Sequence, residues 1–110
     1  MNTTLTKDLS TTMRSAAGEA IKLLKVMVNE DRLMMICHLL DGEKTVSDIE
    51  TLLDIHQPNL SQHLTVLRKS GVVTTRKEGR NVYYSLADPN AVALIETLYR
   101  LYCNNLDSKK

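Results

Sequence analysis

The chain has 110 residues, a formal net charge of +1, two cysteines, and neither Phe nor Trp. That length suits one domain with a modest core, which Leu, Ile, Val, Met and four Tyr must build. No apolar run approaches the ~20 residues of a membrane span, and the opening "MNTTLTKDLSTTMRSA" lacks the apolar middle of a secretory signal, so a cytoplasmic protein with no membrane partner is expected.

Residues 1–13 are Thr-rich and patternless, and are expected to form a flexible arm. The domain proper is expected over 14–106, with 107–110 a disordered tail. From Arg14 to Val28 the apolar residues Ala17, Ala20, Ile21, Leu24 and Val28 recur at helical spacing. Asn29 can cap a second helix, where Leu33, Ile36, Cys37 and Leu40 form an i, i+3, i+4, i+7 stripe, and Asp41-Gly42 ends it. Ser47 and Glu50 have capping-box spacing for a short third helix carrying Ile49, Leu52 and Leu53. Pro58 belongs in the first turn of a fourth helix, striped by Leu60, Leu64 and Leu67 and closed by Ser70-Gly71.

There the period changes from about 3.6 to 2. Residues 72–76 (VVTTR) and 82–86 (VYYSL) flank the polar corner "KEGRN", a β-hairpin signal. Asp88-Pro89-Asn90 then opens a last helix striped by Val92, Ile95, Leu98, Leu101 and Tyr102. The expected fold is mainly α with a β-hairpin wing: a winged helix-turn-helix of five helices.

Charge is segregated along the chain. Residues 30–54 hold seven acids against two bases, whereas residues 57–81 hold Arg68, Lys69, Arg76, Lys77 and Arg80 against Glu78 alone. Taken alone, such a cluster reads as an ordinary solvated surface. Its setting argues for more. With Leu60, Leu64 and Leu67 turned inward, Pro58, Gln62, Thr65 and Lys69 point away from the core, with Asn59, Ser61 and Arg68 on the flanks. These are donors and acceptors suited to base edges and phosphates, and no carboxylate opposes a polyanion. Gln57, Asn59, Ser61, Gln62, Thr65 and Arg68 are therefore the expected DNA-contacting residues of the helix. Arg76, Lys77 and Arg80 are expected to hold phosphates or enter the minor groove from the wing. His63 lies about 60° off the stripe and reads as a half-buried packing residue.

The stretch "LDIHQPNLSQHLTVLRKSGVVTTRKEGRNVYYSL" resembles the core of the ArsR/SmtB-type repressors, and "IKLLKVMVNEDRL" with "RLMMICHLL" extends the likeness over roughly residues 16–104. The resemblance implies a homodimer built through the first and last helices on a pseudo-palindromic, double-stranded operator, nucleoid-associated when bound. It carries Ala17, Ala20, Ile21, Leu24, Ile95, Leu98, Leu101 and Tyr102 into a candidate dimer surface.

Many members of that family sense metals. Where the thiolate metal site would stand, this chain reads "EKTVSD", with Thr45 and Ser47 in place of cysteines. Where the last-helix site would stand it reads Asp88-Pro89-Asn90, and no His follows His63. His38, His56, His63 and the two cysteines have no chelate spacing, so no metal or other cofactor is expected. Cys37 and Cys103 each read, singly, as a small buried hydrophobe. As a pair, "MIC" and "LYC" resemble the dithiol subgroup of BigR/SqrR reactive-sulfur sensors, which HlyU-like regulators share. That implies sensing thiols at Cys37 and Cys103, with a small reactive sulfur species as inducer and a repressor released from DNA by bridging. A general thiol-redox regulator and a metal-sensing member stay open as alternatives. An enzyme is not expected, since there is no Gly-rich phosphate loop, no Cys-x-x-Cys, and no nucleophile with an oriented base. A winged helix that binds only protein is the other competitor.

Overall fold

The computed structural model describes residues 3–103. The candidate tail at 107–110, the expected domain end at 106 and the first two residues of the arm lie outside the described residues. In chain order the elements are α1 (Thr3–Met27), α2 (Glu30–Leu39), β1 (Lys44–Thr45), α3 (Val46–Leu53), α4 (Asn59–Lys69), β2 (Val73–Glu78), β3 (Asn81–Leu86) and α5 (Pro89–Tyr102). This is a winged helix-turn-helix with five helices.

The first helix begins at Thr3 rather than at Arg14. Periodicity finds a helix only through its buried face, and from Asp8 to Ala16 every residue is exposed within the subunit. Leu9 and Met13 are 56% and 55% exposed, and the residues between them are exposed as well. The second helix starts as its sequence predicts. Asn29 is extended (φ −164°), and its side chain accepts from the Arg32 N–H at 3.1 Å.

Two local features differ from the sequence-based expectation. The wing is not a bare hairpin but a three-stranded antiparallel sheet in the order β1-β3-β2, with Lys44 opposite Tyr84 and Thr45 opposite Tyr83. That pairing shifts the start of α3. The chain leaves the sheet at Thr45, so Thr45 rather than Ser47 is the N-cap, and Asp48 rather than Glu50 closes the box. Asp48 N–H donates to Thr45 Oγ1 at 3.1 Å, and Thr45 N–H donates to Asp48 Oδ2 at 3.0 Å. Both tetrads have the right spacing, and the strand decides between them.

β2 and β3 are joined by a two-residue loop between the partners Glu78 and Asn81. Gly79 takes φ +63° at its first position, the positive φ that short hairpin loops demand and side chains resist. The core lies where α2, α3, α4, α5 and the sheet meet. Met35, Ile36, Ile49, Leu60, Leu67 and Val72 are fully buried, and no polar or charged side chain is buried among the described residues. Each such apolar side chain stabilises the fold by about 1.5–3 kcal/mol. Leu60, Leu64 and Leu67 thereby fix which side of α4 faces out.

Candidate nucleic-acid interface and thiol pocket

α3 and α4 are joined by a turn in which Asp54 adopts a left-handed conformation (φ 54°). With its three leucines inward, α4 leaves Asn59, Ser61, Gln62 and Arg68 exposed, while Thr65 is half-buried. The expected contact residues are not equally available. Gln57 Oε1 accepts from the Ser61 N–H at 3.1 Å and also from the Ser61 hydroxyl. Thr65 Oγ1 donates to Ser61 O at 2.8 Å. Asn59, Gln62 and Arg68 make no side-chain hydrogen bond among the described residues, which leaves them as the adaptable polar groups of this face.

The wing divides in the same way. Lys77 and Arg80 are exposed and without an ion pair among the described residues. Arg76 is engaged within the subunit. Its Nε lies 2.9 Å from Glu43 Oε2, its Nη2 bonds the other Glu43 oxygen, and its Nη1 donates to Glu78 Oε2 at 3.1 Å. Its guanidinium carbon also sits 4.5 Å from the centre of the Tyr83 ring. The Arg76 hydrogen bond holds the Glu43 carboxyl below the usual carboxylate range. Arg76 is thus a structural tie in the DNA-free subunit, whereas its sequence position suggests an open phosphate contact. Sequence spacing could not expose the tie to Glu43, which lies 33 positions from Arg76.

His63 is half-buried, as its helical position predicts, but it is not merely packed. It meets two residues of α2, Asp31 and Arg32.

Among the candidate dimer residues, Ala20, Ile21, Leu24, Leu101 and Tyr102 are exposed, Ala17 and Leu98 partly so. Ile95, expected on that surface, is not there. It is 3% exposed and sits in the subunit's own core, because Ala91 and Ile95 form the inward face of α5. Leu94, next to it, turns outward instead and joins Leu24, Val28, Leu33 and Leu98 around an apolar groove of about 520 Å³ between α1, α2 and α5.

The two cysteines are brought together. Cys37, in α2, and Cys103, at the C-cap of α5, both line a pocket of about 260 Å³ whose other walls are Leu33, Met34, Ile95, Leu98, Tyr99 and Tyr102. Both are free and half-buried. Burial pushes the Cys37 thiol above the ordinary cysteine range, and negative charge on Cys103 and then on Asp41 adds to the shift. Cys37 also borders a second depression, rimmed by His38, Leu40, Asp41 and Tyr99. Among the described residues no three His, Cys, Asp or Glu side chains cluster as a metal-ligand set, and no helix is long and apolar enough to cross a membrane.

An exposed polar helix on an apolar footing beside a basic wing defines the class: a DNA-binding transcriptional regulator. Residues 29–75 match the family of bacterial regulatory proteins known as the arsR family. The chain is 46% identical over 91 residues to the transcriptional activator HlyU of Vibrio cholerae, covering 83% of this chain and 84% of that protein. It is also 46% identical over 91 residues to the biofilm growth-associated repressor of Agrobacterium fabrum, covering 83% and 78%. This protein belongs to the arsR family. The fold agrees with solved relatives. Reduced HlyU from Vibrio cholerae superposes with a TM-score of 0.80 at 46% identity, covering 84% of this chain and 97% of that one. The repressor BigR from Xylella fastidiosa gives 0.81 at 39%, covering 86% and 96%. The homodimeric winged helix-turn-helix domain of Mb0332 from Mycobacterium bovis gives 0.71 at 25%, covering 87% and 90%.

Proposed function

We propose that this protein is a homodimeric, sequence-specific repressor that senses persulfides through Cys37 and Cys103, and that a bridge between them releases operator DNA. The observation that carries the sensing reading is the single pocket lined by both cysteines, one from α2 and one from α5. Homodimerisation is supported by the exposed apolar residues Ile21 and Leu24 on α1 and Val28 just after it, with Leu101 and Tyr102 on α5, and by the homodimeric relative. In this reading Asn59, Gln62 and Arg68, with Gln57, Ser61 and Thr65 around them, address the major groove. Lys77 and Arg80 hold phosphate.

The chemistry needs no cofactor. One cysteine thiolate attacks the outer sulfur of a persulfide RSSH; the S–S bond breaks, RS⁻ leaves and takes up a proton, and Cys–S–SH remains. The second thiolate attacks the inner sulfur of that group, expels hydrosulfide and leaves a disulfide. If both cysteines first become persulfides, the outer sulfur of one attacks the inner sulfur of the other, expels hydrosulfide and leaves a trisulfide. The persulfide is the oxidant throughout. An apolar pocket with room for added sulfur atoms suits the longer bridge, which spans more than the ~7 Å Cα separation a disulfide tolerates.

A bridge would tie α5 to α2, and α2 packs directly on α4. A rotation of either reading head displaces it from a half-site about 34 Å away. A hundredfold loss of affinity asks for only ~3 kcal/mol of coupling.

The test uses a duplex that the reduced protein selects from a randomised pool. Glutathione persulfide should weaken binding about a hundredfold, with mass spectrometry finding the Cys37 and Cys103 peptides joined by two or three sulfurs. Cys37→Ser and Cys103→Ser should each bind DNA normally and ignore the persulfide. Equal affinity before and after treatment would remove the mechanism. The alternative, a thiol-redox regulator without sulfur selectivity, takes support from the relative solved as a reduced form. It predicts that hydrogen peroxide releases the DNA equally well.

A further inference from the structure

Arg32, in the first turn of α2, does not point into solvent as a surface arginine would. Its side chain folds back so that Nε donates to Val26 O at 2.7 Å and Nη2 to Lys25 O at 3.4 Å. Both acceptors are carbonyls of the last turn of α1, where a helix leaves its oxygens unpartnered and carries partial negative charge. The third nitrogen, Nη1, reaches across to α4 and lies 3.4 Å from Nδ1 of His63. On its other side His63 presents Nε2 to Asp31 Oδ2 at 3.5 Å.

The chemistry of these groups fixes who donates. A guanidinium has no acceptor and does not lose its proton, so His63 Nδ1 must accept. The ring proton then sits on Nε2, facing the Asp31 carboxylate. One arginine therefore closes the end of α1 and holds, in a single tautomer, a ring that belongs to α4. His63 stands directly after Gln62 and two residues after Ser61 on the face described above. The buried side chains of α4 are Leu60, Leu64 and Leu67. Apolar packing fixes which side of the helix faces out but, being non-directional, leaves small rotations about the helix axis open. A hydrogen bond at the rim of that packing does not.

We propose that Arg32 and His63 are positioning residues for DNA recognition: the Arg32–His63–Asp31 cluster sets the rotation of α4 relative to α1 and so aims the polar face at the bases. The proposal rests on α4 being the DNA-reading helix and is independent of any role of the cysteines. Neither residue needs to touch DNA. With the tie cut, the backbone-directed basic groups still find phosphate, while the base-directed groups are misaimed. Specific binding should fall and non-specific binding should not.

The experiment compares wild type with His63→Leu, which keeps an apolar body, and His63→Asn, whose Oδ1 can still accept from Arg32. Two duplexes are used: the one wild type selects from a randomised pool, and a scrambled version of it. Thermal midpoint and dimer content are measured alongside. His63→Leu should bind the selected duplex at least about tenfold more weakly, the scale of one lost base contact. It should bind the scrambled duplex within about twofold of wild type, and His63→Asn should recover most of the loss. The proposal is overturned if His63→Leu binds the selected duplex like wild type, if it weakens both duplexes equally, or if His63→Asn loses as much as His63→Leu. A wild-type protein that selects no duplex would overturn it too, together with the DNA reading on which it rests.

Discussion

Arg76 on β2 is gripped by both carboxylate oxygens of Glu43, which lies just before β1, so the edge of the wing is pinned to the start of the helix-turn-helix. The pair is exposed, and surface ion pairs of this kind add little stability. Its interest lies in what it withholds: the N–H groups that grip Glu43 are not open to a phosphate.

Glu43→Gln should release Arg76 without changing the shape of the site. Non-specific DNA affinity should rise, and the plot of log affinity against log salt should steepen by about one unit per wing that gains a phosphate contact. An unchanged slope would mean that Arg76 does not reach DNA even when freed.

The thiol pocket makes a prediction about pH. Cys37 is held protonated first by burial, then by Cys103 and Asp41. Its alkylation rate should therefore be low at neutral pH and should rise with a midpoint above the ~8.5 of a free cysteine. Asp41→Asn should move that midpoint down, as should Cys103→Ser, and both are read by mass spectrometry of the Cys37 peptide. The sign also bears on stability. The folded thiol keeps its proton longer than the unfolded one, so this contribution is present below the unfolded pKa and is lost as pH rises through the folded one. An alkylation midpoint at or below that of free cysteine would contradict the buried setting.

The start of α3 offers a stability test between two neighbouring hydroxyls. Thr45→Ala removes an N-cap that bonds the Asp48 N–H and should lower unfolding free energy by about 1 kcal/mol. Ser47→Ala, one residue into the helix and exposed, should stay within about 0.5 kcal/mol of wild type. Urea titration of both variants decides it, and equal losses would place the cap elsewhere.

Val28 is 77% exposed at the end of α1, beside the apolar groove it lines with Leu24, Leu94 and Leu98. Val28→Glu should leave the helical signal intact, since the side chain is scarcely packed within the subunit. Sedimentation should show a shift from dimer to monomer, and DNA affinity should fall more than tenfold as paired half-sites are lost. A dimer of wild-type strength would move the interface away from this groove.

Local chemistry made much of this molecule legible in the linear chain. The stripes of α2, α4 and α5, the Asn29 cap, the Gly79 corner and the outward face of α4 all depend on neighbours within about four residues. A periodic pattern reports those directly. Ser47 and Thr45 show where that reading stops, because both satisfy the local rule and only a pairing with Tyr83 and Tyr84, some forty positions on, selects one. The same limit hid β1, which is too short to have a period, and the early part of α1, which is exposed throughout residues 8–16.

Everything that joins distant segments was decided by the tertiary structure. The sequence placed Cys37 and Cys103 on two helices, and the resemblance paired them, but only the packing of α2 against α5 opens both into one pocket. It also turned Ile95 inward, gave Arg76 to Glu43, and set Arg32 between α1 and His63. The reason is physical: helix periodicity dictates which side of an element is apolar, while the partner a side chain meets depends on how elements cross, and no spacing along the chain encodes that crossing.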